Sequence, residues 1–368
     1  RQAVADALER TGFVVTTGGL GPTRDDLTKR AVAELLGRRL VLDEGALRAL
    51  EARFRRFGRS PMPAANRSQA EVPEGAAVLP NPRGTAPGLW LDDDRGRTVI
   101  MLPGVPAEMR GLLAAEVLPR LVRRGVGGGT VVVSRTLRTT GVPESALAQR
   151  VSGIEDEIAP LTLAYLPSAD GVDLRITAWA LEPAEAERRL AAAAASLAAR
   201  LGDHCYGTEP ADLAAIVLER LRSRGGLRLA VAESCTGGML SQRITAVPGA
   251  SDVFVGAIVA YADAVKRDQL GVPGETLAAH GAVSEATVRA MAEGACRVFA
   301  VPCALAVTGI AGPTGGSADK PVGTVWLAAR AEGEIRAVHR VFPGDRGEIR
   351  ARSAQAALDL LCRMLPAP

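Results

Sequence analysis

Lysine is almost absent from this sequence: Lys29, Lys266 and Lys320 are the only ones among 44 basic residues, and the other 41 are arginines. Aromatic residues make up 3% of the chain, and there are three histidines. Basic and acidic residues nearly balance, 44 against 41, for a net charge of +3. With neither a basic excess nor a supply of stacking rings, a strongly electrostatic nucleic-acid binder is excluded. The five cysteines are odd in number and contain no CxxC pair, which argues for reduced thiols in a cytosolic setting and against a thiolate metal site. Long apolar runs are missing too. The longest, residues 190–199, is mostly alanine and far short of the roughly 20 residues needed to cross a bilayer. No signal-peptide pattern is present, and the sequence opens at Arg1 on a helical pattern, so it reads as starting inside a domain. What it does have is 368 residues that are 47% hydrophobic, enough for two or three domains with real cores, which rules out a disordered tail or a coiled coil.

Three segments emerge. Residues 13–17 are a β-branched run ending in Gly18-Gly19-Leu20-Gly21-Pro22-Thr23, after which a helix is expected to open on Asp25 and Asp26, with Leu27, Ala31 and Leu35 as its apolar face. Strand, glycine loop and helix form the unit of a doubly wound sheet. A second helix has Asp43 as N-cap and Gly58 as stop. Strands near 77–79 and 98–102 lead into further loops, residues 81–88 and Pro103-Gly104-Val105-Pro106, and a helix over 107–124 follows. Residues 125–129 are a glycine joint. Beyond it the order βαββα over about 75 residues resembles a small KH-like α+β module. A second α/β pattern then runs from residue 208 to the terminal helix at 349–364. The expected class is therefore α/β: two three-layer domains, 1–126 and 208–368, joined by a KH-like module over 127–207.

In the first segment, glycines let the backbone approach a ligand, and the following helix start favours an anion. Asp25 and Asp26 oppose an anion unless a divalent cation lies between carboxylate and phosphate, so the loop reads as a metal–nucleotide site. An acidic turn balancing a helix dipole is the plainer alternative.

Nucleophilic catalysis needs a nucleophile, a base to activate it and donors for developing negative charge. Ser234 and Cys235 sit in an expected strand-to-helix turn, with Thr236, Gly237 and Gly238 supplying amides. The turn suits a nucleophile elbow or a phosphate nest. His280 and His339 are poor partners for a serine, whereas a lysine in a partly dry pocket can serve as base. Lys266, shortly after Tyr261, is that lysine, with Tyr261 as orienter or proton relay. Cys235 is the rival nucleophile. The same residues also read as plain structure: Cys235 as buried packing, Lys266 as a solvated helix residue, Tyr261 as a strand-end aromatic. A second glycine loop, residues 308–316, offers Thr308, Gly309 and Gly312 to a ribose phosphate. Arg346 and Arg350, four apart on the last helix, are placed to clamp that phosphate. Lys320 reads as a solvent-facing or loop-anchoring residue.

Thr17-Gly-Gly-Leu-Gly-Pro-Thr-Arg-Asp-Asp-Leu-Thr28, Asn81-Pro-Arg-Gly-Thr-Ala-Pro-Gly88 and Leu102-Pro-Gly-Val-Pro-Ala-Glu108 resemble the molybdopterin-binding-like domain of the CinA family, competence/damage-inducible proteins. Ala232-Glu-Ser-Cys-Thr-Gly-Gly238, His280-Gly-Ala-Val-Ser284, Thr308-Gly-Ile-Ala-Gly-Pro313, Lys320-Pro-Val-Gly-Thr324 and Gly344-Asp-Arg-Gly-Glu-Ile-Arg350 resemble its C-terminal domain. The matches run in family order along nearly the whole chain. One departure is that the family's first domain begins some tens of residues earlier, with a strand and a Gly-Thr-Glu loop absent here.

The resemblance implies two activities on fragments of NAD: a Mg²⁺-dependent ADP-ribose pyrophosphatase and a deamidase converting nicotinamide mononucleotide to nicotinate mononucleotide and ammonia. It implies metal or phosphate-side carboxylates at Asp26 and Glu108, and a nucleotide cradle from Gly19, Gly21, Thr23, Gly84, Thr85, Gly88 and Gly104. For Glu108, a helix first-turn acid is the alternative. In the deamidase it implies Ser234 as nucleophile, since family members vary at the Cys235 position, with Glu233, Thr236, Gly237 and Gly238 lining the substrate. It further implies a cytoplasmic, homodimeric enzyme acting on small nucleotides, with no membrane partner. The alternatives are a deamidase with a nucleotide-sensing first domain and a competence-associated interaction protein. The middle segment's only Gly-x-x-Gly match lies in the 125–129 joint rather than between helices, so it reads as a spacer or dimer contact and not as an RNA binder. Arginine stays protonated, so Lys266 is the one position where a lysine has a chemical reason.

Overall fold

The computed structural model describes residues 1–125 and 130–365. The expected 125–129 joint, Gly125 apart, and its Gly-x-x-Gly match lie outside them. The chain forms two compact units, residues 1–128 and 129–368. No helix among the described residues is long and apolar enough to cross a membrane.

The first unit opens with α1 (Gln2–Thr11), β1 (Phe13–Thr17), α2 (Thr28–Leu35), β2 (Leu40–Leu42) and α3 (Glu44–Arg56). The Asp43 side chain caps α3 by accepting from the Ala46 N–H at 2.7 Å. After a 3₁₀ stretch (Ala64–Ala70) come β3 (Glu71–Pro73), β4 (Ala77–Leu79), β5 (Gly88–Asp92), β6 (Thr98–Leu102) and α4 (Pro106–Leu112), which runs through a π turn (Leu113–Val117) into α5 (Leu118–Arg123). The main sheet has the order β1-β6-β5-β4, with β1 and β6 parallel and the other pairs antiparallel. Alternation along β5 and β6 sends Leu89, Leu91, Val99 and Met101 to one core with Leu8 and Val32, and Trp90, Ile100 and Leu102 to another with Leu112 and Val117. Helices thus cover both faces.

One expectation fails here. The helix after the first glycine loop starts at Thr28 and leaves Asp25 and Asp26 outside it. The Asp26 carboxylate accepts from the Thr23 N–H at 2.9 Å and the Thr23 hydroxyl at 2.5 Å, a local side-chain turn that competes with helix.

The second unit begins with β7 (Val131–Thr139), α6 (Glu144–Arg150), α7 (Ile154–Ile158), β8 (Thr162–Pro167), β9 (Val172–Leu181), α8 (Pro183–Leu201) and β10 (Cys205–Thr208). Its sheet, β10-β7-β9-β8, is antiparallel throughout, and one face packs Leu137, Leu174 and Ile176 against Leu147, Ile154, Leu190 and Leu197. The short α7 and β10 are additions to the expected βαββα order.

The chain continues with α9 (Leu213–Ser223), β11 (Leu229–Glu233), α10 (Met239–Thr245), β12 (Phe254–Val259), α11 (Asp263–Leu270), α12 (Gly274–His280), α13 (Glu285–Phe299), β13 (Cys303–Gly309), β14 (Thr324–Ala331), β15 (Glu334–Val341) and α14 (Arg346–Met364). The sheet order is β12-β11-β13-β14-β15, parallel across the first three strands and antiparallel after. Leu229, Val231, Leu305 and Val307 face α9, α10 and α14, while Ala230, Ala232, Ala304 and Ala306 face α11 and α13. The alanine face lets those helices close in: a Cβ on Gly294 of α13 would stand 2.0 Å from the Leu270 carbonyl oxygen. The last helix begins three residues before its expected start because Asp345 and Glu348 form a capping box, placing Arg346 and Arg350 in its first turns.

Candidate active site

Parallel sheets bind ligands at the carboxyl ends of their strands, and in the second unit three such ends are tied together. Ser234, just past β11, donates its N–H to the Val307 carbonyl of β13 at 2.9 Å, and Ala260, just past β12, donates to the Glu233 carbonyl at 2.7 Å. Ser234 is 8% exposed, and its hydroxyl has no hydrogen-bond partner among the described residues. Its neighbour turns the other way. Cys235 is 5% exposed within the core that includes Leu240 and Ile244, and burial pushes its thiol up to about 12, far from a thiolate at neutral pH. Of the two candidate nucleophiles, the hydroxyl is the one left at the site edge.

The substrate-lining role expected of Glu233 does not fit its position. Glu233 is fully buried, and its carboxylate accepts from the N–H groups of Gly238, Leu240 and Ser241 and from the Ser241 hydroxyl. It fastens the start of α10 beneath the Ser234 turn. Gly237 N–H closes that turn on the Ser234 carbonyl, and Gly238, with φ of 95°, leads into the helix. Thr236 is buried, its hydroxyl has no partner, and its carbonyl accepts from Arg350 Nη2 at 2.7 Å.

Lys266 is 1% exposed, which overturns its reading as a solvated residue. A helical side chain leans toward its helix N-terminus, and the Lys266 ammonium accordingly donates to the Tyr261 carbonyl at 3.3 Å and to Asp263 Oδ1 at 3.2 Å. It therefore reaches the end of β12, next to the strand end that precedes Ser234, without bonding to Ser234 itself. Tyr261 is 59% exposed, and its hydroxyl accepts from Arg346 Nη2 at 2.8 Å. Arg346 Nη1 donates to the Gly312 carbonyl at 2.6 Å. The two arginines thus draw the ends of β11, β12 and β13 toward α14. The Thr308 hydroxyl is spent on the Ala282 carbonyl at 2.8 Å, so it is not the free donor expected of it, and Gly309 packs closely against Val325. Asp263 is a neighbour of Lys266 that sequence reasoning missed; its signal was the three-residue spacing on one helix face.

In the first unit, the loops after β1, before β5 and after β6 lie at one edge of the sheet. Gly104 sits beside Gly18, and a Cβ on Gly19 would strike the Thr28 hydroxyl at 2.1 Å. A Cβ on Gly21 would stand 2.5 Å from Asp26 Oδ2, and one on Gly84 1.8 Å from Glu108 Oε2, so these two glycines make room for the expected carboxylates. Thr23 holds Asp26 and keeps its carboxyl below the usual range, while Glu108 Oε2 accepts from Asn81 at 2.8 Å. Gly84, Thr85 and Glu108 line a cleft of about 870 Å³, together with Arg53 and Arg83. Gly88 does not belong to a cradle: it is buried in β5 against Leu79, Leu102 and Leu112.

Family models match nearly the whole sequence in order: a probable molybdopterin binding domain over residues 1–123, the damage-inducible protein CinA KH domain over 134–207 and the CinA C-terminal domain over 210–365. A CinA-like protein of Gemmatimonas aurantiaca is 54% identical over 362 residues, covering 98% of this chain and 84% of the relative. The chain belongs to the CinA family. A CinA-like protein of Gloeobacter violaceus is 47% identical over 99% of this chain and 85% of its own length. A solved CinA superfamily protein from Klebsiella pneumoniae is 38% identical over 42% of this chain and 95% of that one, with a TM-score of 0.40.

Within this CinA-family chain, all three lysines donate to backbone carbonyls. Lys29 reaches Ser68 at 2.5 Å, with burial pulling its pKa down, and Lys320 reaches His280 and Val283 at 3.2 and 2.8 Å. Of the two readings of Lys320, solvent-facing or loop-anchoring, its bonds to the His280 and Val283 carbonyls fit the second, and among the three only Lys266 lies at the Ser234 edge. The buried Glu233 yields a stability prediction. In Glu233→Gln the amide nitrogen cannot accept, so one of the Ser241 donors is stranded, and unfolding free energy is expected to fall by about 2 kcal/mol. Urea denaturation measures this, and an unchanged midpoint would contradict the role given to the carboxylate.

Proposed function

We propose that the second unit hydrolyses nicotinamide mononucleotide to nicotinate mononucleotide and ammonia. The observation that carries this reading is an unpartnered serine hydroxyl at a central parallel strand end, beside a fully buried lysine at the neighbouring strand end, with the rival thiol in the core. Ser234 Oγ attacks the carboxamide carbon while Lys266, as neutral amine, takes the hydroxyl proton. The oxyanion is held by the N–H groups of Cys235 and Thr236, which give no hydrogen bond to another residue among the described ones. Collapse breaks the C–N bond, the Lys266 proton leaves with ammonia, and water then releases the acid from Ser234. Arg346, exposed and with donors to spare beyond Tyr261 and Gly312, takes the ribose phosphate; Arg350, tied to Thr236, positions the turn. Ammonia release from nicotinamide mononucleotide by the whole protein tests the reading, and its absence would refute it.

For the first unit we propose cleavage of ADP-ribose to AMP and ribose 5-phosphate, supported by the 870 Å³ cleft, which is within the size range of nucleotide pockets. Glu108 Oε1, on the cleft wall, is a hard oxygen with no hydrogen-bond donor on it among the described residues and so suits Mg²⁺; Asp26, held by Thr23 and the Gly21 N–H, does not line the cleft and would act from the first glycine loop. Among the described residues no group of three or more acidic, histidine or cysteine side chains makes a metal cage, so phosphate oxygens and water must complete the coordination. When bound, Mg²⁺ would neutralise charge on the pyrophosphate. The expected result is AMP formation that requires Mg²⁺ and drops at least about tenfold in Glu108→Gln; metal-independent AMP formation would overturn the assignment.

A further inference from the structure

A second cavity, of about 650 Å³, lies between the KH-like module and the C-terminal domain and shares no residue with the Ser234 edge. Its walls are pinned. Asp170 of the module pairs with Arg243 of α10 at 3.1 Å, and Gly141 packs so closely on α14 that a Cβ would stand 3.0 Å from Asp359 Oδ2. Inside, Gln355 of α14 is 2% exposed, yet neither its amide oxygen nor its amide nitrogen has a hydrogen-bond partner among the described residues. A buried primary amide left unmatched is costly, so such a group marks a place where something else supplies the bonds. Two arginines line the same cavity without an acidic partner among the described residues. Arg352 is half-buried with its Nε unpartnered, and Arg340 donates only to the neighbouring His339 carbonyl. Leu327 and Phe342 supply apolar wall.

We propose that this cavity binds a mononucleotide. The Gln355 amide presents a donor and an acceptor side by side, the complement of a nucleobase edge or a carboxamide, and the two free guanidiniums suit the phosphate. Its volume is that of a small-ligand site. Nothing in the proposal depends on the deamidase chemistry.

Calorimetric titration of the whole protein tests it with AMP and nicotinamide mononucleotide, the two sources of the edge, and with ribose 5-phosphate, which has the phosphate alone. At least one mononucleotide is expected to bind saturably, at least tenfold more tightly than ribose 5-phosphate. Its affinity should fall at least tenfold in both Gln355→Leu and Arg352→Gln and persist in Ser234→Ala. Gln355→Leu removes the unmatched amide at nearly constant volume, so its thermal unfolding, measured without ligand, is expected to show a folded protein. Affinities unchanged in both variants, equal binding of ribose 5-phosphate, or no saturable binding up to millimolar concentration would each overturn the proposal. Failure of the ammonia assay would leave these outcomes as they stand.

Discussion

Ser234→Ala is expected to lower the rate of ammonia release from nicotinamide mononucleotide at least about a thousandfold, the scale on which hydrolases lose activity when their nucleophile is removed. The fold should not suffer. The hydroxyl makes no hydrogen bond among the described residues, so its loss strands no partner, and the Ser234 N–H that ties β11 to β13 is kept. The companion Cys235→Ala is expected to retain most of the activity. Burial pushes its thiol up to about 12, so at pH 7 Cys235 is held as the neutral thiol and not the nucleophilic thiolate. Activity within tenfold of the parent in Ser234→Ala, with the unfolding temperature unchanged, would sink the nucleophile assignment. Loss in Cys235→Ala with the fold intact would move it to the thiol.

How far the sequence carries these conclusions differs from residue to residue. The strand–turn–helix around Ser234 is legible because an apolar strand running into Gly237-Gly238 has few alternatives, but which of neighbours 234 and 235 the turn sends into the core is visible only in the folded turn. Periodicity also holds the clue to Lys266: it lies four residues before the buried Leu270, on the same stripe of α11, so the helix that buries one buries both. What hides it is charge, which reads as solvated until a carbonyl and a carboxylate are found waiting. Glu233 is hidden for a similar reason, since its donors come from a helix start whose location depends on the turn itself. The cavity around Gln355 is the least legible feature. Arg352, Gln355, Asp359 and Arg363 form a polar stripe at helical spacing that resembles an outer face, and only the fold lays the KH-like module against it. A local pattern gives the faces of a helix; which neighbour covers each face is a long-range matter.

Lys266→Arg should cost deamidation roughly 10²- to 10⁴-fold, the usual worth of a general base, because a guanidinium keeps its charge but cannot accept the serine proton near neutral pH. The substitution also forces a larger head group into a site that is 1% exposed, so lost activity alone would not separate chemistry from packing. Lys266→Met separates them. It keeps the unbranched stem and removes the ammonium. The Asp263 side chain it leaves behind is 61% exposed and returns to water instead of being stranded, so this variant is expected to fold. With the stem kept, a loss of turnover in folded Lys266→Met reports the missing amine and not lost packing. A folded Lys266→Arg or Lys266→Met protein with near-normal turnover would reduce Lys266 to what Lys29 and Lys320 are in this arginine-rich chain: an ammonium that satisfies backbone carbonyls and does no chemistry.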